Sequence, residues 1–221
     1  MHTSRFRPAT PQDVAFLAEG VRIAERIPAA DELTIYEAVF GFTRSELDGF
    51  LTETLRQDGG DYPLTCGTFF VLERDGDPVA CCAGWVEAAH GLPSGHITAM
   101  AISRYLGSRR WRERAPFIRA LAAAAPSRSP QTLQLESFYT APAFRGQGST
   151  RRLIEGVLGV LAVGPVAPRT AEISLLAENR QAAGAYAKSG FQAVWTTPTA
   201  DEVFRGLTGS RGFMQMRRDL R

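Results

Sequence analysis

The sequence predicts an α/β (α+β) domain, and three stretches carry that prediction. Residues 131–140 alternate like a strand, Arg145-Gly-Gln-Gly-Ser-Thr150 turns, and Leu153, Ile154, Val157, Leu158 and Leu161 then recur at helical spacing. Residues 68–73 and 79–86 are apolar runs joined across Asp75-Gly76, a strong signal for an antiparallel hairpin. Residues 171–177, 179–190 and those from Phe191 onward repeat a strand, helix and strand succession. A chain of 221 residues can bury a full core, so residues 1–221 read as one domain.

Composition narrows the function. A formal net charge of +2 is too small to argue for nucleic acid or an anionic membrane surface. Three cysteines, Cys66, Cys81 and Cys82, give neither a disulfide framework nor a metal-type spacing. Cys81 and Cys82 are neighbours on a strand and read as apolar filler. The N-terminus has no apolar signal core and no apolar run is long enough to span a bilayer. These features predict a cytoplasmic protein without a metal, a nucleic-acid partner or a membrane.

In chain order, residues 6–13 read as a short strand and a helix start, with Thr10 at the cap, Pro11 at the first helical position and Asp13 in the first turn. Val14, Leu17, Val21 and Ala24 follow on one helical face. Residues 28–66 are less regular. Thr43-Arg-Ser-Glu46 has capping-box form and leads into Leu47, Phe50, Leu51 and Leu55, and Gly59-Gly60-Asp61 ends that helix. Tyr36, Phe40 and Phe42, at helical spacing, read as core aromatics. Residues 87–130 form a helical insertion, with helices over 97–106 and 116–125. Arg109, Arg110, Arg112, Arg114 and Arg119 crowd it, as a solvated face or as a site for an anionic acceptor or a subunit contact. His90 and His96 lack a carboxylate or cysteine at ligand spacing. On the strand at 131–140, alternation puts Leu133, Leu135, Ser137 and Tyr139 on one face. Gln134, Glu136, Phe138 and Thr140 share the other.

The glycines at 146 and 148 let the chain turn tightly into a helix whose first N–H groups point outward together. Such a terminus favours an anion, typically a phosphate, and Arg151 and Arg152 add positive charge. With Pro142 and Phe144 ahead of it, Arg145-Gly-Gln-Gly-Ser-Thr150 resembles the acetyl-CoA-binding motif of the GNAT superfamily of N-acetyltransferases, [Gln/Arg]-x-x-Gly-x-[Gly/Ala]. It departs at Thr150, where the family prefers Gly or Ala. Thr150 brings a hydroxyl able to bond a phosphate and a branched carbon that narrows the site. Asn179, Ala182, Tyr186, Gly190 and Phe191 resemble the second hallmark, Asn-x-x-Ala-x-x-x-Tyr-x-x-x-Gly-Phe, in register. Gly164-Pro165 stops the chain between the two motifs.

The resemblance implies a mixed, mostly antiparallel central sheet flanked by helices, with the helical insertion (about 87–130) before the central strand. It implies acetyl-CoA as acyl donor, without a metal. Main-chain groups at Phe138 and Thr140 would pair with the pantetheine arm. Arg145, Gly146, Gln147, Gly148, Ser149 and Thr150 would hold the pyrophosphate, and Asn179 would order that end of the cleft. Attack requires an unprotonated amine, so a carboxylate is wanted nearby. Glu136 is the candidate base, with a salt-bridged carboxylate as the equal alternative. Tyr186 matches the family's general acid, with plain packing as its alternative. The implied function is N-acetylation of a primary amine on a small molecule or peptide, with a homodimer as one assembly open to the chain. The loop 195–212 and the insertion would shape the pocket, and in the family the segment after the first helix folds over the acceptor site, which gives Tyr36, Phe40 and Phe42 a lining role as the alternative to core. A non-catalytic acyl-CoA-binding or regulatory module on the same fold is the competing reading. A nucleotide-binding corner ranks behind both, since no Gly-x-x-x-x-Gly-Lys-[Ser/Thr] run exists.

Overall fold

The apolar runs around Asp75-Gly76 form the start of a seven-stranded sheet in the computed structural model. It describes residues 4–57, 62–163, 167–198 and 201–220, apart from the side chains of Asp31, Trp195 and Thr197. The stop signals Gly59-Gly60-Asp61 and Gly164-Pro165 lie outside the described residues.

Strand β1 (Arg5–Pro8) leads through the Thr10–Asp13 cap into α1 (Val14–Ala24). The Asp13 carboxylate accepts from the Thr10 N–H at 2.8 Å and from the Arg7 guanidinium at 2.7 Å, so strand and helix are tied at one point. A short hairpin of β2 (Arg26–Ile27) and β3 (Ala30–Thr34) leads into the stretch that is irregular in sequence, which then holds α2 (Ile35–Phe40) and α3 (Arg44–Leu55). Both helices carry capping boxes, Thr34 with Glu37 and Thr43 with Glu46. The predicted hairpin is β4 (Phe69–Arg74) and β5 (Asp77–Val86).

The insertion is longer in helix than predicted: α4 (Ser94–Glu113) breaks at Gly107 (φ 76°, ψ 160°) and meets α5 (Ala115–Ala124). Two of its arginines anchor it. Arg110 donates to Glu46 at 2.6 Å and to the Gly41 carbonyl at 2.8 Å, and Arg114 donates to the Val39 carbonyl at 2.8 Å. They are spent on α2 and α3, not on an anionic acceptor.

Beyond it lie β6 (Leu133–Thr140), α6 (Ser149–Leu161), β7 (Thr170–Leu176), α7 (Arg180–Ala187), β8 (Gln192–Pro198), α8 (Glu202–Thr208) and β9 (Gly212–Asp219). The expected loop at 195–212 is therefore the end of β8 plus a helix. Asp201 caps α8, and Phe204 is buried against Ala120 and Ala124 of α5. The sheet order is β1-β4-β5-β6-β7-β9-β8, antiparallel except for the parallel pair β6–β7. This is the expected mixed, mostly antiparallel sheet. Helix α1 covers one face with Val14, Leu17 and Val21, while α6 covers the other with Leu153, Ile154, Val157 and Leu158.

Two features of β6 position the site. First, its pairing with β5 slips between Glu136 and Tyr139, and Ser137 sits at φ 53°. This bulge inverts the alternation. Phe138 falls with Leu133 and Leu135 on the α6 side, while Tyr139 falls on the α1 side, against Phe16. The expected common face for Glu136 and Phe138 is thus overturned, because one extra residue shifts the period-two pattern. Second, β6 pairs with β7 only at Leu133↔Ala171 and Gln134↔Glu172, after which the strands part. The buried Glu172 locks this seam, accepting from Gln134 (2.8 Å), Ser129 (2.9 Å) and Arg217 (2.6 Å). Burial pushes its pKa up, but these donors outweigh that and hold it below the ordinary carboxylate value.

Candidate active site

The gap between β6 and β7 opens into a cleft of about 1890 Å³ that runs from the start of α6 to the space enclosed by α1, α2 and the insertion. At the α6 end, Gly146 and Gly148 both lie at φ 76°, a conformation that any side chain would strain. The first intrahelical bond runs from the Arg152 N–H to the Gly148 carbonyl, so the N–H groups of Ser149, Thr150 and Arg151 precede it without an intrahelical acceptor. Arg145 and Arg151 line the same end and are exposed. These features fit a phosphate-bearing donor: open amides, a helix terminus and two cations. Thr150 lines the cleft. Gln147 does not, because its side chain folds back to the Ala143 carbonyl at 3.3 Å.

Midway, the Ala141 N–H bonds the Val79 carbonyl of β5. Strand alternation therefore aims the main chain of Thr140, and of Phe138 two residues before, at the gap. The Thr140 carbonyl also receives Arg145 Nε at 3.2 Å. Across the gap, the Tyr186 ring lies 5.2 Å from that of Phe138. Burial raises the pKa of its phenol, with the charges of Cys82, Glu25 and Glu136 acting the same way. Asn179 lines the cleft and caps α7, accepting from the Ala182 N–H at 3.1 Å. Ser174, facing the gap from β7, has a buried hydroxyl that finds no hydrogen-bond partner among the described residues.

At the far end, Glu136 is salt-bridged. Arg128 donates to its Oε1 from both Nε, at 3.0 Å, and Nη2. Arg128 also donates to Ser94 at 3.1 Å and lies over the Trp85 ring at 5.3 Å. Glu87, which also lines this end, accepts from Trp85 Nε1 at 3.0 Å and from the Ser94 hydroxyl at 2.6 Å. Glu25, at the end of α1, forms no ion pair among the described residues. Burial first, and then the charge of Glu136, push its pKa up to about 7 against the opposing pull of Arg128.

All the predicted site residues except Gln147 therefore line one cleft. Tyr36 and Phe40 line it as well, while Phe42 is core only. Residues 201–212 contribute no lining, whereas the insertion does. Glu25, Arg128 and Ser174 carry no signal in the sequence that marks them as site residues. Glu25 ends a helix without any periodic mark, and the partner of Arg128 becomes apparent only in three dimensions. Burial raises the thiol pKa of Cys66, Cys81 and Cys82, which makes them inert. No group of three or more His, Cys, Asp or Glu suited to a metal, and no helix long and apolar enough to cross a membrane, occurs among the described residues.

The model of the acetyltransferase (GNAT) family matches residues 34–191. Among solved structures, one described as an acetyltransferase is similar at TM-score 0.58 and 17% identity, covering 99% of this chain and 100% of that one. An N-acetyltransferase from Staphylococcus aureus Mu50 is similar at 0.58 and 14%, covering 96% and 99%. The aminoglycoside acetyltransferase AAC(6')-Ib in complex with coenzyme A is similar at 0.52 and 15%, covering 98% and 95%. At these identities the likeness is one of fold. No curated protein matches this sequence.

Proposed function

The chain belongs to the acetyltransferase (GNAT) family, and from that premise we propose that it moves an acetyl group from acetyl-CoA to the primary amine of a small molecule or peptide by direct attack. Residues 1–221 act in this reading as one domain. The observation that carries it is the parting of β6 and β7 in line with the open amides of α6. Bound acetyl-CoA supplies an activated thioester. The main chain of Phe138 and Thr140 pairs with its arm as an added strand would. The amides of residues 146–150 and the side chain of Arg151 hold the pyrophosphate. Gln147 contributes its main chain only, and Asn179 orders the neighbouring wall. Tyr186, proton-bearing and placed against Phe138, is the acid that meets the departing sulfur. Glu136 is fixed by Arg128, so it shapes and charges the acceptor end and its part in proton removal is secondary. The reading also takes the protein as cytoplasmic.

Calorimetric titration with acetyl-CoA, with CoA and ATP as controls, tests the donor site. Micromolar binding of both CoA species without ATP binding supports it. No CoA binding overturns it. Tight acetyl-CoA binding without turnover of any amine would instead favour a non-catalytic acyl-CoA-binding module.

A further inference from the structure

We infer that the acceptor is a primary monoamine carried on an apolar, aryl-bearing body, seated between α2 and the insertion with its nitrogen against Glu25. The inference rests on the acetyl-transfer reading and deepens it at the acceptor end of the same cleft.

The chemistry of the wall supports it. Apart from a few polar groups, the acceptor end is lined by aliphatic and aromatic side chains, among them Ile35, Tyr36, Phe40, Ile102, Trp111 and Ile118. The Phe40 and Trp111 rings stack at 6.3 Å and are nearly parallel, which leaves a flat apolar surface. A polycationic acceptor needs several unpaired carboxylates. Here Glu87 is occupied by Trp85 and Ser94, and Glu136 by Arg128. That leaves Glu25 for one ammonium. An acceptor carrying its own carboxylate is not met by Arg128, whose Nε, Nη1 and Nη2 all already donate to Glu136 or Ser94.

Glu25 is also held in place. Its carbonyl accepts from the Ile35 N–H at 2.9 Å, which brings the end of α1 beside the start of α2 and sets Glu25 next to Tyr36. The charged and titratable groups that face it are Glu136, Arg128, Tyr36 and Tyr186, with Arg26 next in the chain. Glu25 titrates near neutrality in this setting, as a proton acceptor should. In the transfer, the amine gives its surplus proton to Glu25, and its nitrogen bonds to the acetyl carbon. The carbon–sulfur bond breaks, and the thiolate takes a proton from Tyr186. The surplus proton left on the new amide nitrogen passes, directly or through solvent, to the Tyr186 phenolate, and Glu25 releases the first proton to solvent.

The test compares 2-phenylethylamine, spermidine and kanamycin as acceptors, following thiol release, alongside direct calorimetry of acetyl-CoA and of 2-phenylethylamine. The expected kcat/KM for 2-phenylethylamine exceeds that of either polycation by at least about tenfold. Glu25→Gln should lower kcat/KM by about a hundredfold and abolish its rise through about pH 7, with acetyl-CoA affinity unchanged. Trp111→Ala should raise KM for the amine and leave kcat nearly unchanged. A polycation that outruns the monoamine overturns the inference, as does a Glu25→Gln enzyme that keeps its rate and pH profile. Amine binding without acetyl-CoA binding would sink acetyl transfer while sustaining the amine site. Absence of amine binding with acetyl-CoA bound would do the reverse.

Discussion

Tyr186 is buried and keeps its proton well beyond neutrality, so in the proposed reaction it would serve as an acid rather than a phenolate. Tyr186→Phe keeps the ring against Phe138 and removes only the hydroxyl. Turnover should fall by about 10² with little change in acetyl-CoA affinity. A mutant of equal turnover would reduce Tyr186 to packing. Glu25 makes a second prediction through stability. In the folded chain it holds its proton up to about pH 7, against an ordinary value of 4.5. The folded state therefore binds more protons than the unfolded one between these limits. Its cost to stability is absent below pH 4.5, grows through the window and is complete above pH 7, at about 3 kcal/mol. Glu25→Gln should accordingly raise Tm at pH 8 and give little gain at pH 5. A gain of equal size at both would mean that Glu25 is not held in this way.

At the scale of elements, the placing of α6 decides where its amides point. Gly84 of β5 faces Val157 of that helix, and a Cβ at Gly84 would stand 2.7 Å from Val157 Cγ1. Gly84→Ala should therefore push the helix outward, at about 1–3 kcal/mol. Thermal unfolding would show the loss, and calorimetry should show weaker acetyl-CoA binding. An unchanged Tm would mean that the interface absorbs the methyl. Much of this level was legible in the sequence. The Thr10 and Thr43 caps, the Asp75-Gly76 turn and the apolar spacing of α6 are local signals that local structure obeys. Other features were not. The short helix α8 has one buried hydrophobic anchor, Phe204, and part of what it packs on, Ala120 and Ala124 of α5, lies far back in the chain. The bulge at Ser137 carries no glycine or proline to mark it, so straight alternation puts Phe138 and Tyr139 on the wrong faces. The Arg128–Glu136 pair spans only eight residues, yet its consequence for proton transfer depends on the whole wall behind it.

Across the whole molecule, the seven strands form two half-sheets, β1-β4-β5-β6 and β7-β9-β8, joined at two residue pairs and the Glu172 cluster. A ligand that bridges the gap beyond those pairs binds only the folded arrangement. Acetyl-CoA at about one hundred times its Kd should therefore stabilise the fold by about 2.7 kcal/mol and raise Tm by several degrees. Because Arg145 and Arg151 are exposed, the shift should shrink as salt rises. A shift insensitive to salt would argue against their contact with the pyrophosphate.

The proposed donor end of the cleft is built mostly from backbone: the strand edge at Phe138 and Thr140 and the amides that open α6. Side-chain substitution cannot delete a main-chain N–H unless it brings in proline. This end of the protein is thus buffered against mutation, and a departure such as Thr150 alters its rim rather than its grammar. The acceptor end is built from side chains on α1, α2 and the insertion, each exchangeable one at a time. Heritable change can rewrite what the enzyme accepts while what it donates stays fixed, so a new substrate lies a few codons away and a new donor does not.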